Sequence, residues 1–227
     1  MSTRNTVFLF GAGASYGAGG VIPERPPLGA QLFLELQRIC QGSWGMLPPD
    51  VAAEFGSKGF EPGMKVIHER YATSIPTLMR DMAIYFIQFR PHRRGTLYCR
   101  LINDLKHAQM LSSTAFSTLN YECVLEFSLI EAAAGISYFD SADAIDASAC
   151  PVWKLHGSCN FFSAQLQASP GIFYSAGVSF EGGVRASLDI GEVIDHCLTK
   201  TALAPAMCLY MEGKPVSVSP SDAVYAQ

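Results

Sequence analysis

The chain has 227 residues, 49% of them hydrophobic, and a net charge of −4. This length suits one large domain with a sizeable core. No apolar run approaches the roughly 18 residues of a membrane helix, and Met1–Asn5 run straight into a predicted strand, so we expect a cytoplasmic protein without a secretory signal or membrane contact. The basic cluster Arg90, His92, Arg93 and Arg94 is typical of a solvated loop, and we expect no direct nucleic-acid binding.

Seven cysteines, at positions 40, 99, 123, 150, 159, 197 and 208, include no Cys-x-x-Cys pair. Metal sites built on cysteine usually show such close pairs. An odd number of cysteines in a cytoplasmic chain is typical of reduced thiols buried as small apolar side chains. We therefore expect neither a metal site nor a disulfide.

The first predicted element is a strand over Thr6–Phe10, with four consecutive apolar residues. An apolar run without polar alternation predicts a strand buried on both faces, as in a parallel α/β sheet. Two glycines follow at once, in Gly11-Ala12-Gly13-Ala14-Ser15. They let the backbone turn tightly and approach a pyrophosphate held by backbone N–H groups. A tight turn without a ligand fits the same pattern, and Gly17 comes one residue too late for the usual dinucleotide fingerprint.

The stretch that follows is predicted to be mainly helical. Gly17–Pro27 is rich in glycine and proline and predicts a loop beside the strand end. After a helix over Leu28–Cys40, residues 41–63 predict an irregular excursion with a short helix near Asp50–Phe55. Three further helices are predicted, over Met64–Ala72, Pro76–Phe89 and Thr96–His107. Residues from about 41 to 108 would thus form a helical insertion at the sheet edge, between the first two strands.

Strands and helices alternate in the rest of the chain. The predicted strands are Met110–Phe116, Ile136–Phe139, Val152–Leu155, Ile172–Tyr174, Met207–Tyr210 and Val216–Val218, and the predicted helices are Glu122–Ala134 and Ser187–Thr199. Asp140–Ser148 predicts an acidic surface loop. Alternation of this kind favours the α/β class with a parallel sheet.

The last residues predict an unfinished element. Ser219-Pro220-Ser221-Asp222 has the chemistry of a helix start, a serine cap followed by proline, yet only five residues come after it. A sheet that stopped after Val216–Val218 would leave an apolar strand edge uncovered. We therefore expect either a C-terminally incomplete domain, or a second copy or partner chain that covers this edge.

Polar or glycine-rich turns end three of the predicted strands, at Gly11–Ser15, Thr118–Glu122 and His156–Ser158. In open α/β sheets, ligands bind outside the carboxyl ends of the strands. Alone, Asn120 is typical of a turn and His156 of a structural histidine. Their joint occurrence at the ends of parallel strands favours a ligand site.

Three sequence blocks resemble the signature blocks of the sirtuin superfamily: Gly11-Ala12-Gly13-Ala14-Ser15, Thr118-Leu119-Asn120-Tyr121-Glu122 and Lys154-Leu155-His156-Gly157-Ser158. They occur in the family's order and are most similar to its bacterial SIR2-like branch, which includes NAD⁺-cleaving effectors of antiphage defence. Gly20-Val21-Ile22-Pro23-Glu24-Arg25 lies where sirtuins carry Gly-Ile-Pro-Asp-Phe-Arg. The resemblance covers most of the chain. It implies one NAD-binding domain over residues 1–227, a Rossmann-like parallel sheet with helices on both faces.

The chain departs from sirtuin deacylases in two respects. It has no paired cysteines for their four-cysteine zinc module, and their Thr-Gln-Asn-Ile-Asp block reads Thr-Leu-Asn-Tyr-Glu here. The missing module argues against an enzyme that holds a peptide between two domains, and is typical of the family's NADases. Gly213-Lys214-Pro215 resembles a later block, after which the family's fold continues into further strands.

The resemblance implies an NAD⁺ hydrolase that releases nicotinamide and ADP-ribose, with NAD⁺ as its substrate and no metal. Asn120 would hold the ribose or nicotinamide and position water, and His156 would act as the base. The implied NAD⁺-binding residues are Gly11, Ala12, Gly13, Ala14, Ser15, Pro23, Arg25, Thr118, Glu122, Gly157 and Ser158.

Other functions stay open beside this one. The chain would also suit a non-catalytic regulatory module that binds NAD⁺ or ADP-ribose, and a third hypothesis is an NAD-dependent protein deacylase. The presence of both Asn120 and His156 favours an enzyme, because a pure binding module needs neither. Arg25 is also typical of a solvated loop, and Glu122 of the first turn of a helix.

Overall fold

The computed structural model describes residues 6–138, 149–163, 184–199 and 205–207. Its strands, in chain order, are β1 (Thr6–Phe10), β2 (Val21–Ile22), β3 (Arg90–Pro91), β4 (Thr114–Thr118), β5 (Gly135–Ser137), β6 (Ala149–Lys154), β7 (Phe161–Ser163) and β8 (Val184–Ala186). Its helices are α1 (Ala12–Tyr16), α2 (Gly29–Ile39), α3 (Pro49–Lys58), α4 (Phe60–Arg70), α5 (Ile75–Ile87), α6 (Leu97–His107), α7 (Val124–Glu131) and α8 (Ile190–Thr199).

The centre of the fold is a parallel sheet with the strand order β1-β4-β6-β5. Phe116 on β4 lies opposite Phe8 on β1 and Val152 on β6, and every residue of β4 is buried. Helices flank the sheet, and α2 to α6 lie in the chain between β1 and β4. The predicted α/β class with a Rossmann-like parallel sheet is confirmed.

The prediction that the first strand is buried on both faces is wrong. Val7 and Leu9 are 54% and 63% exposed, whereas Phe8 and Phe10 turn inward and stack on Phe116 at centroid distances of 6.0 and 6.3 Å. Within the described residues, β1 pairs with β4 alone. The uninterrupted apolar run Val7–Phe10 therefore belongs to a strand with one buried and one exposed face.

The short helix predicted near Asp50–Phe55 is confirmed within the longer α3, and the helix predicted from Met64 begins earlier, at Phe60, as α4, so less of residues 41–63 is irregular than predicted. Pro49 starts α3, because its missing N–H lies where the first helical turn needs no partner. Gly59 separates the helices at a φ of 98°, a conformation that glycine adopts without strain. Pro48 and Gly59 thus sit at helix ends and Pro49 and Pro62 in first turns, whereas Gly63 lies inside α4 against the ring of Phe55. The aromatic rings of this region pack together, with Phe33 and Phe55 stacked at 4.1 Å.

Two other boundaries differ from the prediction. The strand expected over Met110–Phe116 begins at Thr114, because residues 111–113 form a 3₁₀ turn after Gln109 at a φ of 57°. The loop expected over Gly17–Pro27 contains β2, which pairs with β3 in antiparallel fashion. A local 3₁₀ turn decides the first case, and backbone pairing between distant segments decides the second.

Several predicted elements lie outside the described residues. They are the acidic loop Asp140–Ser148, the strand Ile172–Tyr174, the strand Val216–Val218 and the helix start at Ser219. Of the strand predicted over Met207–Tyr210, only Met207 is described, and it forms an antiparallel bridge with Gly157.

Two expectations from composition concern the basic cluster after β3 and membrane-spanning helices. The basic residues His92, Arg93 and Arg94 are exposed in the turn that follows β3, as expected for a solvated loop. Among the residues described here, no helix has the length and apolar character needed to cross a membrane.

Candidate functional site

A cavity of about 140 Å³ opens at the carboxyl ends of β1, β4 and β6. Six of the residues predicted for the site line it: Gly11, Ala12, Ser15, Asn120, Glu122 and His156. They come from the turn after β1, the turn after β4 and the turn after β6, which the parallel topology brings to one edge of the sheet. The three blocks therefore meet at one place.

The Ser15 hydroxyl lies at the centre of a buried hydrogen-bond network. It donates to Oε1 of Glu122 at 2.5 Å, because a carboxylate can only accept. Its oxygen then accepts from Nδ2 of Asn120 at 2.9 Å and from the hydroxyl of Tyr98 at 3.0 Å. One donor and two lone pairs are all that a serine hydroxyl offers. Ser15 is thus saturated within the protein and orients its neighbours.

Asn120 lines the cavity and has one side-chain acceptor without a hydrogen bond among the described residues. Its backbone N–H donates to Oγ1 of Thr118 at 3.0 Å, and its Nδ2 donates to the carbonyl oxygen of Gly11 at 3.2 Å as well as to Ser15. A carbonyl cannot donate, so this contact fixes which end of the amide is nitrogen. The side-chain Oδ1 is buried and has no hydrogen-bond partner among the described residues. Leaving such an oxygen unsatisfied costs about 1–3 kcal/mol, so the geometry calls for a donor on a ligand or water.

Glu122 is held at both carboxylate oxygens. Oε1 accepts from Ser15, and Oε2 accepts from the backbone N–H of Val124 at 2.6 Å, where α7 begins. Glu122 precedes the N-cap Cys123 and so lies just before α7 rather than in its first turn, but its carboxylate accepts from the first N–H of the helix and closes the Ser15 network.

His156 lies in the turn after β6 and is partly exposed to the cavity. Its ring is tilted against that of Tyr121, with a centroid distance of 6.5 Å. An imidazole with this exposure is accessible to a bound ligand and is suited in kind to proton transfer near neutral pH.

Tyr98, from α6, is a site residue that sequence reasoning missed. Its hydroxyl is bonded to Ser15, and its ring packs edge-on against Phe10 at 5.1 Å. Burial, together with the nearby charge of Glu122, raises the pKa of Tyr98 above the ordinary value of a phenol, so it stays a donor. No motif marks Tyr98, because its contact with Ser15 spans 83 positions of the chain.

The other predicted site residues lie beside the cavity and not on its wall. Gly13 and Ala14 lie in α1, and Pro23 is exposed. Arg25 is also exposed, and its guanidinium stacks over the ring of Tyr16 at 4.3 Å from the centroid.

Thr118, Gly157 and Ser158 support the site from behind. Thr118 bonds the backbone of Asn120, and Ser158 donates to the carbonyl oxygen of Tyr121 at 3.2 Å. Gly157 has a φ of 71°, and a Cβ there would lie 1.9 Å from the carbonyl oxygen of Ala206. These three residues hold the turns in place.

The apolar side of the cavity comes from the segments between β1 and β4. Leu32 from α2, Phe60 from α4 and Phe86 from α5 line it, beside Pro26 and Pro27. The sequence showed these residues only as core or loop positions. A wall of this kind suits a flat, apolar part of a ligand.

No protein-family model matches the sequence, and no curated protein matches it at a significant level. The three sequence blocks and the geometry of the cavity where they meet are therefore the features that bear on function.

Proposed function

We propose that this protein is an NAD⁺ glycohydrolase that cleaves the bond between nicotinamide and ribose. The resemblance to the sirtuin superfamily adds the biological setting to this proposal. In that setting the protein acts in the cytoplasm, in antiphage defence through NAD⁺ depletion, and assembles with a second copy or a partner chain.

The observation that carries the proposal is the buried, unpartnered Oδ1 of Asn120. Asn120 lines the cavity, whose wall also contains the glycine turn after β1 and the imidazole of His156. A donor is needed opposite Oδ1, and both a ribose hydroxyl and an attacking water are donors. The turn at Gly11 and Ala12 leaves room for backbone to approach a diphosphate.

The reaction needs few groups from the protein. The bond between ribose C1′ and the nicotinamide nitrogen breaks, and its electron pair goes to the nitrogen, which loses its positive charge. Departure of this group therefore needs no general acid. Water adds to C1′, and its proton passes to His156 acting as a general base. Asn120 accepts a hydrogen bond from that water or from a ribose hydroxyl and so orients it.

The decisive experiment incubates the purified chain with NAD⁺ and measures nicotinamide by chromatography, with and without an acetylated peptide. We expect release without the peptide. His156→Ala should lower turnover by roughly 10²–10⁴-fold, the usual contribution of a general base, while Asn120→Ala should also abolish most turnover. The matched control is His92→Ala, at an exposed histidine outside the cavity, which should leave the rate unchanged.

Two outcomes would contradict the proposal. Binding of NAD⁺ without turnover, measured by calorimetry, would favour the regulatory module. Nicotinamide release that strictly required the acetylated peptide would favour the deacylase.

A further inference from the structure

Lys154, the last residue of β6, is a fully buried cation. Its Nζ lies 2.9 Å from Oε1 of Glu126, whose side chain is equally buried. The same Nζ donates to the backbone carbonyl oxygen of Glu122 at 2.6 Å. One ammonium group thus joins the end of β6 to α7 and to the turn that carries Asn120.

Stability alone does not account for this arrangement. Removing a cation and a carboxylate from water is costly, and apolar side chains of similar size would often pack as well at such a place. The ammonium adds a directed contact. It holds the Glu122 carbonyl oxygen, in the turn after β4, at a set distance from the end of β6, and β6 leads into the turn that carries His156. His156 follows Lys154 by two residues, and Asn120 precedes Glu122 by two.

We propose that Lys154 is a positioning residue, which holds the Asn120 turn and the His156 turn in the relative placement that the reaction needs. The inference rests on the proposed function, since the two turns carry the groups assigned to NAD⁺ hydrolysis. Lys154 itself is not among the residues that line the cavity. It acts through Glu122 and Glu126.

The charges around Lys154 agree with this role. Burial by itself would lower the pKa of Lys154, but the acidic side chains around it, Glu126 first among them and then Cys123 and Glu122, together outweigh burial, and the pKa is raised. The ammonium therefore keeps its protons, so that it donates to the Glu122 carbonyl and faces Glu126 at the same time.

The test removes the ammonium without leaving a buried charge behind. The double variant Lys154→Met with Glu126→Gln replaces both charged groups by neutral ones of similar size. Two amides report on the turns: that of Val124, bonded to Glu122, and that of Cys159, bonded to the carbonyl oxygen of Tyr121. The amides of α5 serve as the reference. The matched control is Lys58→Met, which breaks an exposed ion pair with Glu54.

We expect the Val124 and Cys159 amides to exchange about tenfold faster in the double variant, with α5 unchanged. We also expect kcat for NAD⁺ to fall at least about tenfold with little change in KM, because misplacement of reacting groups affects the chemical step. Lys58→Met should change neither. Wild-type exchange and wild-type kcat in the folded double variant would overturn the inference.

A milder variant guards against a failure to fold. Lys154→Gln with Glu126→Gln leaves no buried charge and keeps a side-chain N–H donor at position 154, so both readouts should move in the same direction by a smaller factor. If the wild-type chain does not hydrolyse NAD⁺, the proposed function fails on that result alone. The exchange of Val124 and Cys159 still decides whether Lys154 holds the turns, and unchanged exchange in both variants overturns it.

Discussion

At the scale of single residues, the hydroxyl of Ser15 determines what the cavity offers to a ligand. Because it donates to Glu122, it must accept from Nδ2 of Asn120, and this leaves Oδ1 as the end of the amide without a partner among the described residues. Tyr98 occupies the second lone pair of Ser15. The ligand-facing chemistry of Asn120 therefore depends on residues that a ligand need not touch.

Tyr98→Phe tests this dependence. The change removes the phenol hydroxyl and leaves the ring packed on Phe10. We expect the free energy of unfolding to fall by about 1 kcal/mol, as for a typical buried hydrogen bond, and NAD⁺ turnover to fall several-fold, because Ser15 gains freedom to rotate. Urea denaturation and the nicotinamide assay measure the two effects. Tyr71→Phe, on a partly buried tyrosine outside the network, is the control, and equal behaviour of the two variants would contradict the argument.

At the scale of elements, the turn between β1 and α1 leaves room for a ligand. Gly11 has a φ of −117°, which any residue adopts, and a Cβ built on it meets nothing within 4 Å. Gly11 also lines the cavity, whereas Gly13 does not. The backbone conformation at position 11 thus does not require glycine. A side chain there would fill space that is empty in the structure.

Gly11→Val should therefore leave the fold intact and block the site. The valine would occupy cavity space without a clash inside the protein, so we expect a wild-type melting temperature and a loss of NAD⁺ affinity of at least about tenfold, since diphosphate contacts need close backbone approach. Calorimetric titration and thermal melting measure this. Gly42→Val, at another glycine with open space around it, should bind normally. Unchanged affinity in Gly11→Val would mean that the turn has no ligand.

At the scale of the whole molecule, several thiols and phenols are fully or partly buried, and burial raises the pKa of each. Burial raises the pKa of the Cys40 thiol from 9.0 to about 11 and that of Cys197 to about 12, and it raises the pKa of Cys123 and Tyr98 as well. All four are acids that the fold keeps protonated. Their contribution to stability is fully present at neutral pH and is lost as pH rises.

The sign of this effect gives a prediction for alkaline pH. Above about pH 9, the unfolded chain releases thiol protons that the folded chain keeps, so the free energy of unfolding falls with rising pH. Between pH 9 and pH 11 we expect a loss on the order of 2 kcal/mol, with the share of the half-exposed Cys40 reduced by solvent. Urea denaturation under reducing conditions at a series of pH values measures it. Cys197→Ala should make the decline shallower; a flat profile in the wild-type chain would contradict the prediction.

The sequence by itself determined the elements whose signals are local. β1 occupies the predicted Thr6–Phe10, and α6 starts after Thr96, whose hydroxyl accepts from the N–H of Cys99 as a helix cap does. The three blocks also predicted six residues of the cavity wall, because parallel strands bring their carboxyl ends to the same edge. Apolar run length, caps and strand-end turns are properties of neighbouring residues, and a sequence states them directly.

Only the tertiary structure decided what depends on distant contacts. It left the Val7 and Leu9 face of β1 exposed, and it lengthened the helices predicted near Asp50–Phe55 and from Met64 to α3 and α4, which pack through their aromatic rings. It also brought Tyr98 to Ser15, Lys154 to Glu126, and Phe86 to the cavity. Each of these contacts joins segments far apart in the chain, and no local spacing encodes such a pair. The sequence indicated six residues of the cavity wall, and only the fold shows which distant residues hold them in place.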